Sequence, residues 1–528
     1  MTAESSFKLT YATMFNPPEE LHTRFEEALV KVKADMGREY PLLIGGKERL
    51  CAEKFEDHIP FDGHQVLGIF QKGTAQDGQD ALAAARKAFP IWSRMPWQER
   101  VALVRKAADL IDERIFEMSA AMAFEVGKNR MESLGDVAES AELMRHACQM
   151  MEDHDGYVTL MLPDPLPGFV SRNTSVMKPY GVWLVISPFN FPAALTGGPV
   201  GAALVAGNTV VIKPSSDTPL LPYLYTRCLL DAGLPEGVVN FVTGSGSTIG
   251  QALIESPQVD GVTFTGSYPV GMGIYRSFAE SRYVRPLVME LGGKNCAIVS
   301  RNADLETAAL GIVRSAFGLQ GQKCSACSRV LVEAPMYDAL VKRLVELTGK
   351  LSIGDPTERS VYLGPVVNKN SYREYQEFVE ELRRDGTILT GGQVWTEGEL
   401  GQGYFCAPTL AADLPFSHRL WQQEMFLPIT TVGKVDSLAE AMSIANSVEY
   451  GLTAGFYGTE EEARWFFENI EVGVSYVNRP QGASTGAWPG FQPFGGWKAS
   501  GATGKNAGGP YYLALYMREQ SQTVIAKA

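Results

Sequence analysis

The chain has 528 residues, 45% hydrophobic and 20% charged, with a formal net charge of −13. That length exceeds what one core supports, so two or three domains are expected. The acidic surplus argues against nucleic acid and anionic membrane as main partners. Seven cysteines, at 51, 148, 228, 296, 324, 327 and 406, form an odd, scattered set rather than a disulfide framework. A reducing compartment, the cytosol, is predicted. The start, MTAESSFKLTYATMFNPPEE, has no apolar h-region and carries acids early, so it reads as neither a secretory signal nor a transit peptide. No apolar run approaches the roughly 18 residues of a membrane span.

Residues 1–40 read as a polar extension with a helical middle, where Leu21, Phe25, Ala28, Leu29 and Val32 recur at helical spacing. YPLLIGGKE (40–48) predicts a short strand into a Gly-Gly turn. Amphipathic helices are predicted over 81–89 and 100–110, with Pro96 between them, and a long helical region over 115–151, broken by the glycine of EVGKN. PDPLPGF (163–169) has no helical period. From Gly181 the chain alternates strand and helix. GVWLVIS, NTVVIKP, GVVNFV and GVTFTGS are apolar runs bounded by Gly and Pro, as strands of a buried parallel sheet are. After Asn295 a second α/β unit follows, with helices at 303–318, 336–349 and 371–384 and strands near 328–333 and 387–390. The fold class is doubly wound α/β. The tail alternates polar and apolar after Gln520, like an edge strand that pairs with another subunit.

The chemistry centres on FGLQGQKCSACSRV (317–330). Most free cysteines are buried and inert. Cys324 instead stands among Gln, Lys and Ser, with small neighbours that let a substrate approach. With Cys327 it also forms a CxxC, which leaves a redox pair or half a zinc site as alternatives. No second CxxC exists and no histidine has ligand spacing nearby, so no metal is expected. Upstream stand Glu290 in VMELGGKN and Asn190 in ISPFNFP. A thiol, a carboxylate and an amide are what thioester chemistry on an aldehyde needs: nucleophile, water-activating base and oxyanion donor.

Cofactor signals are weaker one by one. Gly244, Gly246 and Gly250 resemble a dinucleotide fingerprint with one residue too many. Phe264, Thr265, Gly266 and Ser267 end a strand and open a helix, where Ser267 can cap and the N–H groups can hold a pyrophosphate. An ordinary strand-to-helix cap would read the same. Lys213 ends a strand at the lip of a parallel sheet, where cofactors bind and where solvated lysines are also common. Glu424, beside Phe426, suits a ribose hydroxyl or an exposed loop.

Taken in order, ISPFNFP, GNTVVIKPS, FTGS, MELGGKN, GQKCSA, EMFLPI, YGLTAGFY and QPFGGWKASG resemble the aldehyde dehydrogenase superfamily from about Tyr40 onward. The resemblance implies three parts: an NAD(P)-binding, Rossmann-type domain (1–152 and 174–291, with the N-terminal extension), an α/β catalytic domain (292–501), and a small β bridging and oligomerisation element (153–173 and 502–528). It implies Cys324 as nucleophile, Glu290 as deacylation base and Asn190 as oxyanion donor. It implies NAD or NADP held by Ile186, Pro188, Phe189, Lys213, Ser216, Gly246, Phe264, Gly266, Ser267, Leu291, Glu424 and Phe426. GLQGQKCSACSR, the TGA to GFQPFGG segment and KNAGGPYYL resemble the branch that oxidises glutamate γ-semialdehyde to glutamate. That implies a substrate site of Lys323, Ser325, Gly486, Ala487 and Phe494, and a homodimer or larger assembly. Succinate semialdehyde as substrate, a coenzyme A-acylating relative and a redox-inactive protein of the same fold are the alternatives. Glu290 argues against the acylating one.

Overall fold

The computed structural model describes residues 9–11, 13–15 and 17–528. The remaining parts of the expected polar extension lie outside the described residues.

Two seven-stranded sheets dominate. In the first, the strands run in the order Leu287–Glu290, Gly261–Thr265, Val182–Ile186, Thr209–Lys213 and Val239–Phe241, all parallel. A hairpin of Leu42–Ile44 and Lys47–Arg49 adds to one edge antiparallel. The chain leaves Val182–Ile186 in one direction and later returns to its other side at Gly261–Thr265. That reversal opens a crevice at the carboxyl ends of these two strands. The strands are buried on both faces, which is why they read as unbroken apolar runs.

The second sheet is built the same way. Asn295–Val299 lies central, with Cys327–Glu333, Ile429–Val435 and Thr409–Ala412 on one side and Thr453–Tyr457 and Val474–Val477 on the other. Only the outer strand Thr387–Thr390 is antiparallel. A separate antiparallel sheet joins Val158–Leu160, Phe169–Pro179 and the tail strand Met517–Lys527. Its middle strand runs through the boundary expected at 173/174. The tail strand starts at Met517, earlier than the alternation after Gln520 indicates, and only its first residue is buried.

Other sequence expectations shift for local reasons. In helix Glu19–Ala34 the buried face takes His22, while Leu21 is half-buried. The helix expected at 81–89 spans Ala75–Arg94. Thr74 and Asp77 form a capping box that starts it early. It continues through Pro90 because fully buried Trp92, whose Nε1 donates to Leu204 O at 3.1 Å, holds the last turn. Gly127, at φ 81°, ends helix Ile115–Val126 in the left-handed conformation that glycine adopts freely. Among the described residues no helix is long and apolar enough to cross a membrane.

Candidate active site

Glu290 is the last residue of the Leu287–Glu290 strand in the first sheet. Cys324 sits in the loop that feeds Cys327–Glu333 in the second. The two sheets therefore deliver one group each to a shared junction, where the Cys324 thiol donates to Glu290 Oε1 at 3.7 Å.

The loop before the cysteine is bent by three successive left-handed residues, Leu319 (φ 48°), Gln320 (φ 53°) and Gly321 (φ 67°). Two non-glycine residues in that region store strain of about 1 kcal/mol or more each, and the surroundings must hold them there. Glu132, in the first turn of helix Arg130–Asp153, does much of the holding. Its Oε2 accepts from Leu319 N–H at 3.1 Å, and its Oε1 pairs with Lys323 Nζ at 3.0 Å. Gly321 packs so close to Leu427 O that an added Cβ would lie 2.2 Å from it.

LGGKN (291–295) ties the remaining motifs together. Gly293 N–H donates to Glu424 Oε1 at 2.8 Å, and Ser500 Oγ donates to Gly292 O at 2.7 Å. Asn295 Nδ2 donates to Cys324 O at 2.7 Å and to Ala326 O at 3.0 Å. Asn190 Nδ2 donates to Gln322 O at 3.0 Å, which leaves its second amide hydrogen for an oxyanion beside the thiol.

Burial pushes the Glu290 carboxyl up to about 7, with the Cys324 thiol pulling the other way. Burial first, then the nearby Glu290 and Glu424 carboxylates, push the Cys324 thiol well above its ordinary range. A hydrogen bond from Ser325 N–H opposes them. The charged groups acting on it are carboxylates, so the thiol keeps its proton. Cys327 does not join it. Its side chain is buried in the strand that follows, with Sγ donating to Arg329 O at 3.5 Å.

Two cavities meet at Cys324. The larger follows the crevice of the first sheet. Ile186, Pro188, Phe189, Asn190, Lys213, Gly246, Phe264, Gly266, Ser267, Leu291, Glu424 and Phe426 all line it. Ser216 does not; its hydroxyl turns to Gly244 O at 3.3 Å. Ser267 occupies the N-cap of helix Tyr268–Ala279, but its side chain makes no capping bond, so the first-turn N–H groups stay open to the cleft. Lys213 is buried there, lowered to about 8 by desolvation, and donates to Pro214 O at 2.9 Å. Phe189 and Phe426 meet edge to face, with ring centroids 5.7 Å apart. An open helix N-terminus, a buried cation and a carboxylate around one long cleft fit a dinucleotide.

Cys324 and Glu290 both line the second cavity. Ser325, Gly486, Ala487 and Phe494 line it too. Gly486 has φ 102°, a conformation that favours glycine. Arg479, which sequence reasoning missed, donates to Gly486 O at 2.7 Å and brings a cation behind that peptide. Lys323 is not drawn into this cavity. It lines a neighbouring one with Ser325 and Gly486, and its ammonium is taken by Glu132. Glu132 lies far in sequence from the turn it supports, Arg479 only seven residues from Gly486, and neither belongs to a motif.

The sequence model described as "Aldehyde dehydrogenase family" matches residues 48–522, and the chain belongs to that family. It is an NAD(P)-dependent aldehyde dehydrogenase. It is 40% identical over 509 residues to a 1-pyrroline-5-carboxylate dehydrogenase of Geobacillus sp. (strain WCH70), covering 95% of each chain. Among solved structures, a 1-pyrroline-5-carboxylate dehydrogenase from Thermus with bound NAD superposes with a TM-score of 0.91 at 36% identity over 100% of both chains. Proline utilization A from Bdellovibrio bacteriovorus gives a TM-score of 0.90 at 35% identity, over 96% of this chain and 52% of that one. The chain thus spans about half the length of that larger protein.

Proposed function

We propose that the chain oxidises L-glutamate γ-semialdehyde, the ring-opened form of 1-pyrroline-5-carboxylate, to L-glutamate in the breakdown of proline. One observation carries the reading: the Cys324–Glu290 pair and the Ser325, Gly486 and Ala487 wall belong to one cavity. That matches an aldehyde at one end of a short chain and a carboxylate at the other. The names of the relatives point the same way.

Cys324 releases its proton to solvent and adds to the aldehyde carbon as a thiolate. Asn190 and the Cys324 N–H hold the oxyanion; losing one such donor typically costs about 2.7–4 kcal/mol. A nicotinamide dinucleotide in the cleft, held by Lys213, Ser267, Glu424 and Phe426, supplies the hydride acceptor. The acyl group then rests on sulphur as a thioester. Glu290 takes a proton from water, which attacks the thioester and restores the thiol. At the far end Ser325 and the N–H groups of the 486–487 turn meet the substrate carboxylate. The edge strand Met517–Lys527 supports a homodimer or larger assembly, and seven free cysteines suit the cytosol.

Initial rates on glutamate γ-semialdehyde, pentanal and succinate semialdehyde, each with NAD and NADP, test the reading. Two charge-assisted hydrogen bonds at about 1.5 kcal/mol each predict roughly a hundredfold preference over pentanal in kcat/KM. Equal efficiency on pentanal, or better turnover of succinate semialdehyde, would refute it.

A further inference from the structure

Asn190 lies between the end of strand Val182–Ile186 and helix Ala194–Ala206, so the start of that helix governs where its amide points. Ala193, the N-cap residue, has no side chain able to cap, and the first-turn N–H groups need another acceptor. Asp136, from helix Arg130–Asp153, supplies it. Its Oδ1 accepts from Ala194 N–H at 2.8 Å, and Ala193 N–H also donates to this carboxylate. Phe191 O accepts from Leu195 N–H at 3.0 Å, so the capped turn is bonded to the residue next to Asn190. Lys128, in the loop before helix Arg130–Asp153, backs both. Its Nζ donates to Asp136 Oδ2 at 2.8 Å and stands 3.7 Å from the centroid of the Phe191 ring. Both charged side chains are 0% exposed.

Stability alone gives no reason for such a pair. Burial pushes the Lys128 ammonium down and the Asp136 carboxyl up, and each residue opposes the other's shift. Desolvation of two charges cancels most of their attraction, and a well-packed apolar pair is often as stable or more so. An apolar pair could not accept from Ala194 N–H, nor hold the ring beside Asn190 by its charge.

We propose that Lys128 and Asp136 are positioning residues for Asn190: Asp136 fixes the start of the helix that follows the oxyanion donor, and Lys128 orients both that carboxylate and the Phe191 ring. The inference rests on the proposed role of Asn190 as oxyanion donor. Lys128 and Ala194 N–H use different oxygens of Asp136. An amide has one oxygen to offer, so Asp136→Asn breaks one of the two bonds and turns an NH2 group toward a donor. Adding Lys128→Gln gives that NH2 group an acceptor and returns the amide oxygen to Ala194 N–H.

The measurement is the single-turnover rate of NADH formation, with glutamate γ-semialdehyde and with pentanal. Asn190→Ala should slow it by about a hundredfold or more, as loss of one oxyanion donor does. Asp136→Asn should slow it by about tenfold or more with both aldehydes, as a small misplacement of a reacting group does. Its KM should stay within about threefold of wild type, since the contact concerned forms in the transition state. Lys128→Gln with Asp136→Asn should bring the rate back to within about threefold of wild type. In the Asn190→Ala background, Asp136→Asn should cost less than about twofold more, because the group it positions is gone. A wild-type rate in Asp136→Asn overturns the proposal. So does a rescue pair no faster than Asp136→Asn, a fully additive loss in the Asn190→Ala background, or a loss seen with one aldehyde alone. Should Asp136→Asn not fold, Lys128→Met with Asp136→Leu, which leaves neither charge nor acceptor, takes its place under the same expectations. Asn190→Ala at the wild-type rate removes the role of Asn190, and this proposal with it. Failure of glutamate γ-semialdehyde as a substrate removes that reading alone; the pentanal rates still decide this one.

Discussion

At the scale of single residues, the proposed role of Glu290 implies a pH dependence. Its carboxyl is raised to about 7 by burial, and only the ionised form can take a proton from water. Where thioester hydrolysis limits turnover, kcat should therefore climb as pH rises through about 7 and level off above it. A kcat–pH profile checks this, and a flat profile from pH 5 to 8 would contradict it. That Cys324, Glu290 and Asn190 come together was legible because each sits in a short motif of small residues. Arg479 and Glu132 were not. A guanidinium behind the Gly486 peptide and a carboxylate under the Leu319 N–H mark their positions only through contacts made after folding. Lys323, beside the nucleophile, reads as a substrate group, but its partner is Glu132, from a helix that precedes the parallel strands of both sheets.

At the scale of elements, the parallel strands announced themselves as apolar runs, and their carboxyl ends located the cofactor cleft. The left-handed turn at Leu319, Gln320 and Gly321 did not, because two of its residues are types that rarely adopt positive φ. It persists because Glu132 caps it. Glu132→Ala should strand the Lys323 ammonium, whose side chain is only 11% exposed, and lower stability by about 3–5 kcal/mol. Denaturant unfolding measures that loss. The pair Glu132→Leu with Lys323→Met should recover part of the stability, because no buried charge is left unpaired, while kcat stays low for want of an acceptor for Leu319 N–H. Full activity in the double variant would show that the turn needs no such cap.

At the scale of the whole molecule, the small antiparallel sheet is the part least able to stand alone. Its tail strand is an edge with ten of eleven residues exposed. Leu160, Leu162, Phe169, Val170, Val524 and Ile525 all present apolar side chains to solvent around it. We propose this patch beside an open edge as a surface for a second copy of the chain. Wild type should be a dimer or larger by light scattering at micromolar concentration, and removal of residues 518–528 should give monomer. A fully active wild-type monomer would refute this. The sequence hinted at the strand through its alternation, but its start at Met517 depends on pairing with Phe169–Pro179, which no local pattern encodes.

The central claim is that one thiol and one carboxylate, delivered by two sheets to the meeting of two cavities, divide the reaction into acylation and hydrolysis. The direct test is rapid-mixing measurement of NADH formation by Glu290→Gln. The account predicts a burst of about one NADH per active site followed by slow turnover, since the thioester forms but water is not activated. Steady turnover at the wild-type rate, with no burst, would contradict it.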